Sequence, residues 1–277
     1  MRKASGILIA TFGRLVRNDG ILFAGHMAFM AMLSFFPFLV FLTALAGFLG
    51  EPQSAQAFID RVFDLVPERV GAALHPAVDE VLAARRGGLL TFSLLGTLWI
   101  ASSGVEALRH VLNRAYGVKE VRPFWRRRIE SLVVVITGGT LTLGLSLSVI
   151  LGPAIWSLLT ATLILPVGSE AALGTVRDVA ATTILFVILT ILHATLPCRR
   201  QRLRDVWFGA ALTALLWIAL ATGFSLYLSN LTDFDVTYGS LGGVILTLIY
   251  FHVSAVLFIF GAELNATLAA ARARPSS

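Results

Sequence analysis

Six long stretches almost free of charge most limit what this 277-residue chain can fold into. They cover residues 21–49, 89–112, 129–151, 179–196, 206–228 and 241–267. A helix rises about 1.5 Å per residue, so about 20 apolar residues cross a hydrocarbon core of about 30 Å. We therefore predict an all-α integral membrane bundle of six transmembrane helices, forming a single domain over residues 1–277.

Composition agrees with this prediction. Hydrophobic residues make up 57% of the chain and charged residues 14%, whereas soluble domains have about 25% charged residues. The single cysteine, Cys198, excludes an internal disulfide and a thiolate metal cluster. A membrane protein is therefore a better description than a soluble enzyme, a disordered chain or a disulfide-rich secreted domain.

The basic residues predict the topology. Of the 22 lysines and arginines, 17 lie at the N-terminus, in the second and fourth connections or at the C-terminus. The other five lie among acidic residues in the intervening connections. The positive-inside rule then puts both termini in the cytoplasm. We predict that the following residues contact anionic lipid there: Arg122, Arg126, Arg127, Arg128, Arg199, Arg200, Arg202 and Arg204.

Nucleic acid is the alternative partner for a chain of net charge +6. The run Arg126–Arg128 has only Phe124 and Trp125 beside it, and these suit an interfacial aromatic belt. A nucleic-acid site needs a basic patch with several base-stacking aromatic residues. The expected partners are therefore membrane lipids with anionic headgroups on the cytoplasmic side, and no nucleic acid.

Three further segments are not simple spans. Residues 7–16 have apolar side chains at helical spacing, which predicts a helix along the membrane interface. Residues 51–88 predict two short amphipathic helices on the external face. Pro153 predicts a helix break at Gly152–Pro153, followed by a half-immersed external helix over 153–165; a re-entrant segment is the alternative.

Several motifs make the chain resemble the YihY/BrkB family of bacterial inner-membrane proteins. The matching residues, from about Phe23 to Asn265, are Ala28-Phe29, Ser34-Phe35-Phe36-Pro37, Ser102-Ser103-Gly104, Leu108, Leu112-Asn113, Tyr116, Glu120, Arg122-Pro123, Gly209-Ala210, Trp217, Phe224, Tyr227, Tyr238-Gly239-Ser240 and Gly261-Ala262-Glu263-Leu264-Asn265. His26 and His252 depart from the family pattern, and residues 51–88 carry no family motif. The resemblance implies six helices and internal termini. Its members have been linked to serum resistance, ribonuclease activity and movement of lipid or lipopolysaccharide precursors.

The sequence predicts no enzyme, metal site or cofactor. Its five histidines are isolated, without the spacings of metal-binding motifs, and Walker-type and Rossmann glycine motifs are absent. The acidic residues of the predicted cytoplasmic side are interleaved with arginines, so no carboxylate cluster arises there.

Polar groups within the spans are the candidates for function, because they are costly in a membrane. As a substrate path or gate we consider Ser34, Pro37, Ser102, Ser103, Glu106, Asn113, His252, Glu263 and Asn265. The structural alternatives pair Glu106 with Arg109 or His110, and Glu263 with a neighbouring helix end. They also leave His252 a neutral, hydrogen-bonded side chain rather than a proton relay.

Smaller structural roles complete these alternatives. Asparagines at helix ends can cap or bridge helices. Pro37 predicts a kink whose freed carbonyl is satisfied locally, with Ser34 nearby. We interpret the small residues as close-packing surfaces: Gly138, Gly139, Thr142, Gly144, Ser146, Gly242 and Gly243.

Two functions fit these observations. The first is a transporter that translocates an anionic envelope lipid or a related amphipath, with the polar set at its cytoplasmic mouth. The second is a non-transporting envelope scaffold, in which the same polar residues only lock the helices together.

Overall fold

A computed structural model describes residues 2–49, 88–163, 169–229 and 240–273, and these residues form helices joined by short turns, with no strand among them. In chain order the helices are α1 (Arg2–Arg17), α2 (Gly20–Leu49), α3 (Gly88–Ala115), α4 (Phe124–Leu163), α5 (Ser169–Thr195), α6 (Leu203–Ser229) and α7 (Ser240–Ala273). The predicted all-α class is confirmed. The predicted external segment 51–88 lies outside the described residues except for Gly88, the first residue of α3.

Three of these helices contain segments long and apolar enough to cross a membrane. The segments are Gly20–Leu42 in α2, Leu203–Tyr227 in α6 and Gly242–Arg272 in α7, and Val179–Thr195 in α5 is a shorter apolar helix. Helices also cover the predicted spans 89–112 and 129–151. The total of six spans stays a prediction.

The predicted break at Gly152–Pro153 is wrong. Helix α4 continues through both residues and ends at Leu163, which makes it about 60 Å long. A proline removes one backbone hydrogen bond, whereas ending the helix inside an apolar sequence would leave several backbone groups without partners. Continuing the helix satisfies more of these groups.

The chain forms two compact units. Unit 1 comprises Met1–Met32, Glu106–Arg126 and Asp178–Ser277, and unit 2 comprises Leu33–Val105 and Arg127–Arg177. In unit 1, α7 packs along α6 and along α1. The assignment of residues 1–277 to a single domain stays a prediction.

Glycine brings α6 and α7 together. A Cβ atom added to Gly209 would collide with the carbonyl oxygen of Gly261, and one added to Gly261 would lie 2.7 Å from the carbonyl oxygen of Gly209. Small residues permit this backbone approach between apolar helices. Buried Asn265 of α7 also bonds to α6 at this point, because its Oδ1 accepts a hydrogen bond from the Gly209 amide at 2.7 Å.

The packing surface predicted in α4 is observed at one of its glycines. A Cβ added to Gly139 would lie 2.7 Å from the Phe41 ring, so a larger residue does not fit there. An added Cβ at Gly138 or Gly144 meets nothing within 4 Å among the described residues. The packing prediction is confirmed at Gly139 and stays a prediction at the other two glycines.

Candidate functional site

A buried carboxylate on α7 lies at the centre of the polar contacts in unit 1. The Glu263 side chain is only 1% exposed. Arg14 of α1 donates from Nε to Glu263 Oε2 at 2.8 Å, and Asn18 donates to Oε1. Arg14 also donates to the carbonyl oxygen of Ala115 at 2.9 Å. We call Glu263, Arg14 and Asn18 the Glu263 cluster; it confirms that Glu263 pairs with a neighbouring helix end.

A second, exposed ion pair holds the turn between α1 and α2. Arg114 donates to the Asp19 carboxylate at 2.6 Å and to the Asn18 carbonyl oxygen at 2.7 Å. Its guanidinium lies 4.4 Å from the centre of the Phe23 ring. Asp19 has φ 51°, in the left-handed region. Arg114, Phe23 and Asn18 line a small cleft that reaches Glu263.

Asn113 joins the connection after α3 to the connection after α5. It donates to Glu120 at 2.8 Å, and its Oδ1 accepts a hydrogen bond from the Cys198 amide at 2.7 Å. Arg122 pairs with Glu120 at 2.9 Å and donates to the Leu196 carbonyl oxygen at 2.8 Å. These bonds hold the two arginine-bearing connections side by side.

The Glu120 carboxylate is strongly stabilised in its charged form. Desolvation by burial acts to raise its pKa, but hydrogen bonds from Arg122, Asn113 and Cys198 outweigh burial and lower the pKa from 4.5 to about 2. Charge-assisted hydrogen bonds favour the ionised carboxylate in this way.

This pKa shift predicts a pH-dependent stability. Because the folded pKa lies below the unfolded one, the stabilisation is complete above pH 4.5 and is lost as pH falls towards 2. We expect the unfolding temperature of the wild type to fall over this window, as measured by thermal unfolding in detergent at a series of pH values. Glu120→Gln has no carboxylate at this position and should fall less steeply. Equal slopes for the two proteins would contradict the prediction.

Asn265 bridges three parts of unit 1. Besides binding Gly209, it donates to the Val206 carbonyl oxygen at 2.9 Å and to the Tyr116 hydroxyl at 3.3 Å. Burial raises the pKa of Tyr116, although the hydrogen bond from Asn265 acts in the opposite direction. Both asparagines predicted at helix ends therefore make bonds between helices and connections, as expected.

Two further candidates lie in unit 1. Glu106 pairs with Arg109 one turn along α3, which confirms the expected pairing. The Arg109 side chain is 1% exposed, so this pair carries a buried charge. His252 is half-buried, and its Nδ1 lies 3.9 Å from the position of a Cβ added to Gly25.

The serine candidates lie in unit 2, around Trp99. Ser102 donates to the Trp99 carbonyl oxygen at 2.7 Å, and Ser34 of α2 donates to the Ile100 carbonyl oxygen of α3 at 3.3 Å. Pro37 lies inside the continuous helix α2. The Ser34 hydroxyl thus joins two helices instead of satisfying a carbonyl of its own helix.

Arg128 also binds at Trp99. Its guanidinium lies 3.9 Å from the centre of the Trp99 ring and donates to the Trp99 carbonyl oxygen at 2.5 Å. Its other terminal nitrogen lies 3.5 Å from the Ser103 hydroxyl. Among the arginines predicted to contact lipid, Arg128 is buried and Arg122 is largely enclosed by protein partners.

Other predicted lipid contacts are exposed. Arg127 is half-buried, whereas the exposed set comprises Arg126, Arg199, Arg200, Arg202 and Arg204. Large aromatic residues beside them in the chain are exposed as well: Phe124, Trp125, Trp207 and Phe208. We call the five exposed arginines and these four aromatic residues the basic-aromatic surface; all nine belong to unit 1.

The sequence alone assigns no site role to Arg14 or Asn18. A usable signal was present, because Ile7, Thr11, Arg14 and Asn18 follow one helical face. Charge counting alone places Arg14 among the basic residues of the N-terminus and gives no information on its contact with Glu263. Within the described residues, no group of three or more His, Cys, Asp or Glu side chains is placed to hold a metal ion.

Long apolar helices with buried polar bonds between them define an all-helical membrane protein. The model of the family described as "Virulence factor BrkB" matches residues 11–277, and the chain belongs to this family. The expected resemblance is confirmed.

Relatives cover nearly the whole chain. The ribonuclease-like protein YfkH of Bacillus subtilis (strain 168) is 31% identical over 262 residues, covering 93% of each chain. A UPF0761 membrane protein of Pseudoalteromonas atlantica is 25% identical, covering 94% of this chain and 85% of the relative. One from Tolumonas auensis is 27% identical, covering 94% and 84%. No solved structure matches the chain.

Proposed function

We propose that this protein crosses the inner membrane six times, with both termini in the cytoplasm, and translocates an anionic envelope lipid or a related amphipath. The basic-aromatic surface receives the headgroup on the cytoplasmic side. The positive-inside distribution of the 22 basic residues supports this orientation.

The observation that carries the proposal is the joining of the two arginine-bearing connections. Arg122 donates to the Leu196 carbonyl oxygen. Asn113 accepts a hydrogen bond from the Cys198 amide, so both bonds link the two connections. The neighbouring arginines are exposed, beside exposed tryptophans. Arginine and tryptophan together suit the headgroup region of an anionic leaflet, where each cation contributes about 1 kcal/mol.

Passage of a lipid requires polar groups deeper in the protein to exchange partners. Glu263, Asn265 and Asn113 make cross-element bonds in unit 1, and His252 lies elsewhere on α7. We propose that Glu263, Asn265 and Asn113 gate the cytoplasmic mouth, and that His252 and the serines 34, 102 and 103 belong to the substrate path. The gate opens when a headgroup replaces a protein partner.

A scaffold without transport is the second candidate. The specific observation in its favour is the same set of bonds, because buried polar groups that bridge helices also stabilise a static bundle. In that case lipid binding at the basic-aromatic surface anchors the protein, and no lipid is translocated.

A liposome assay separates these functions. The wild-type protein is reconstituted into vesicles that contain a labelled phosphatidylglycerol, and accessibility of the label in each leaflet is followed with time. Translocation predicts faster exchange than in empty vesicles. If several anionic lipids exchange no faster, the translocator proposal fails and the scaffold stands. Adding labelled RNA to the same preparation checks for the activity in the name of the Bacillus relative.

The arginines provide a matched pair of variants. Changing Arg199, Arg200, Arg202 and Arg204 to glutamine should weaken the preference of the nanodisc-embedded protein for phosphatidylglycerol over phosphatidylcholine by about fivefold per arginine, from about 1 kcal/mol each. The control carries the same number of changes at arginines predicted outside, namely Arg61, Arg69, Arg85 and Arg86. Equal weakening in both variants would contradict a cytoplasmic headgroup surface.

A further inference from the structure

Helix α1 presents three chemically different sides. Its 16 residues span about 24 Å, too short to cross a membrane. At 100° per residue, its side chains divide into a side against the protein, an apolar side and a side of small and basic residues. Each side is defined by the burial of its members.

The first side packs on the rest of unit 1. Thr11 and Leu15 are buried, and α1 runs against α7. Arg14 lies on the same side and donates to the buried Glu263 carboxylate at 2.8 Å. The helix therefore directs one of its charges into the protein.

The second side is apolar and points away from the protein. Leu8, Ile9, Phe12 and Val16 are 49%, 72%, 59% and 54% exposed. These residues lie within about 100° of one another around the helix. A helix in water buries its apolar stripe, whereas this stripe of α1 is exposed. We call these four residues the apolar side of α1.

The third side consists of Gly6, Ala10, Gly13 and Arg17. Ala10 and Arg17 are exposed, and a Cβ added to either glycine meets nothing within 4 Å. This side lies next to the apolar side around the helix. Helix α1 has four basic residues and no acidic one.

We infer that α1 lies flat on an anionic lipid surface, with its apolar side among the acyl chains and its small and basic side towards water. A helix crossing the membrane would be apolar on every side away from the protein, whereas an interfacial helix needs one apolar and one polar side. The positive charge of α1 complements anionic headgroups. The bonds of the Glu263 cluster hold this helix against α7.

This inference does not rest on lipid translocation. It requires only that the chain be a membrane protein, as its family is. A scaffold would carry the same interfacial helix, so a negative result in the translocation assay leaves this inference standing.

Fluorescent labels on two sides of α1 test the inference. In a Cys198→Ser background, Phe12→Cys and Ala10→Cys proteins are labelled with an environment-sensitive dye and placed in nanodiscs containing phosphatidylglycerol. We expect the label at position 12 to shift its emission to shorter wavelength and to lose quenching by aqueous iodide. The label at position 10, on the neighbouring side of the same helix, should remain quenched by iodide.

Other results would overturn it. If iodide quenches both labels, α1 does not bind lipid; if it quenches neither, lipid surrounds the helix and it is not interfacial. Efficient crosslinking of position 12 to position 12 in dilute nanodiscs would mean that a second copy covers the apolar side. Ile9→Cys, on the same side, replaces Phe12→Cys if that variant does not fold. Nanodiscs of phosphatidylcholine alone should give a smaller emission shift, and an equal shift would remove the anionic requirement.

Discussion

Replacing Arg14 with alanine is expected to destabilise the protein by about 3 kcal/mol. The Arg14 side chain is 28% exposed, but its partner Glu263 is 1% exposed. The variant therefore leaves a buried carboxylate whose remaining side-chain hydrogen bond, among the described residues, comes from the neutral amide of Asn18. The measurement is the thermal or denaturant unfolding midpoint in detergent or nanodiscs.

Two comparisons make this prediction specific. Arg17→Ala removes the same charge from an exposed position of the same helix, and it should change stability by less than about 0.5 kcal/mol. Adding Glu263→Gln to Arg14→Ala removes the unpaired charge and should restore part of the lost stability. Equal effects of Arg14→Ala and Arg17→Ala would show that the buried pair has no special role.

Gly209→Ala should also cost about 3 kcal/mol, at the upper end for an overpacked site. The new Cβ would collide with the Gly261 carbonyl oxygen and lie 2.5 Å from Asn265 Nδ2. Neither the α7 backbone at Gly261 nor the buried, hydrogen-bonded side-chain amide of Asn265 can move freely. We expect a lower unfolding midpoint and a weaker association of α6 with α7, measured by crosslinking of cysteines introduced on these two helices.

Gly223→Ala is the matched control on the same helix. A Cβ there meets nothing within 4 Å among the described residues, and alanine favours a helix over glycine by up to about 1 kcal/mol. Its stability should be unchanged or higher. A Gly209→Ala protein as stable as Gly223→Ala would mean that α6 and α7 do not approach closely in the membrane.

The approach of the basic connections shows where sequence reasoning reached its limit. Arg122 and Arg199 could both be assigned to one side of the membrane from charge counting alone. The different environments of the two side chains could not be predicted in this way. Arg122 is held by Glu120 and by the Leu196 carbonyl oxygen, while Arg199 is exposed. Charge counting locates a residue along the membrane normal, but it carries no information on which neighbour lies beside it.

Pro153 shows a different limit. Local propensity predicts a break there, because proline lacks an amide donor. Helix α4 nevertheless continues to Leu163, since an apolar sequence has few other ways to satisfy its backbone. The context of the whole segment outweighed the preference of one residue.

The sequence by itself determined that this is an all-helical membrane protein, because the length of its apolar segments is a property of the linear chain. It also determined the family, through motifs such as Gly261–Asn265. Only the tertiary structure decided that Arg14 turns inward to Glu263, and that Gly209 meets Gly261 across α6 and α7. These pairs are separated by 249 and 52 positions, and no periodicity within one helix specifies which face of another helix it meets.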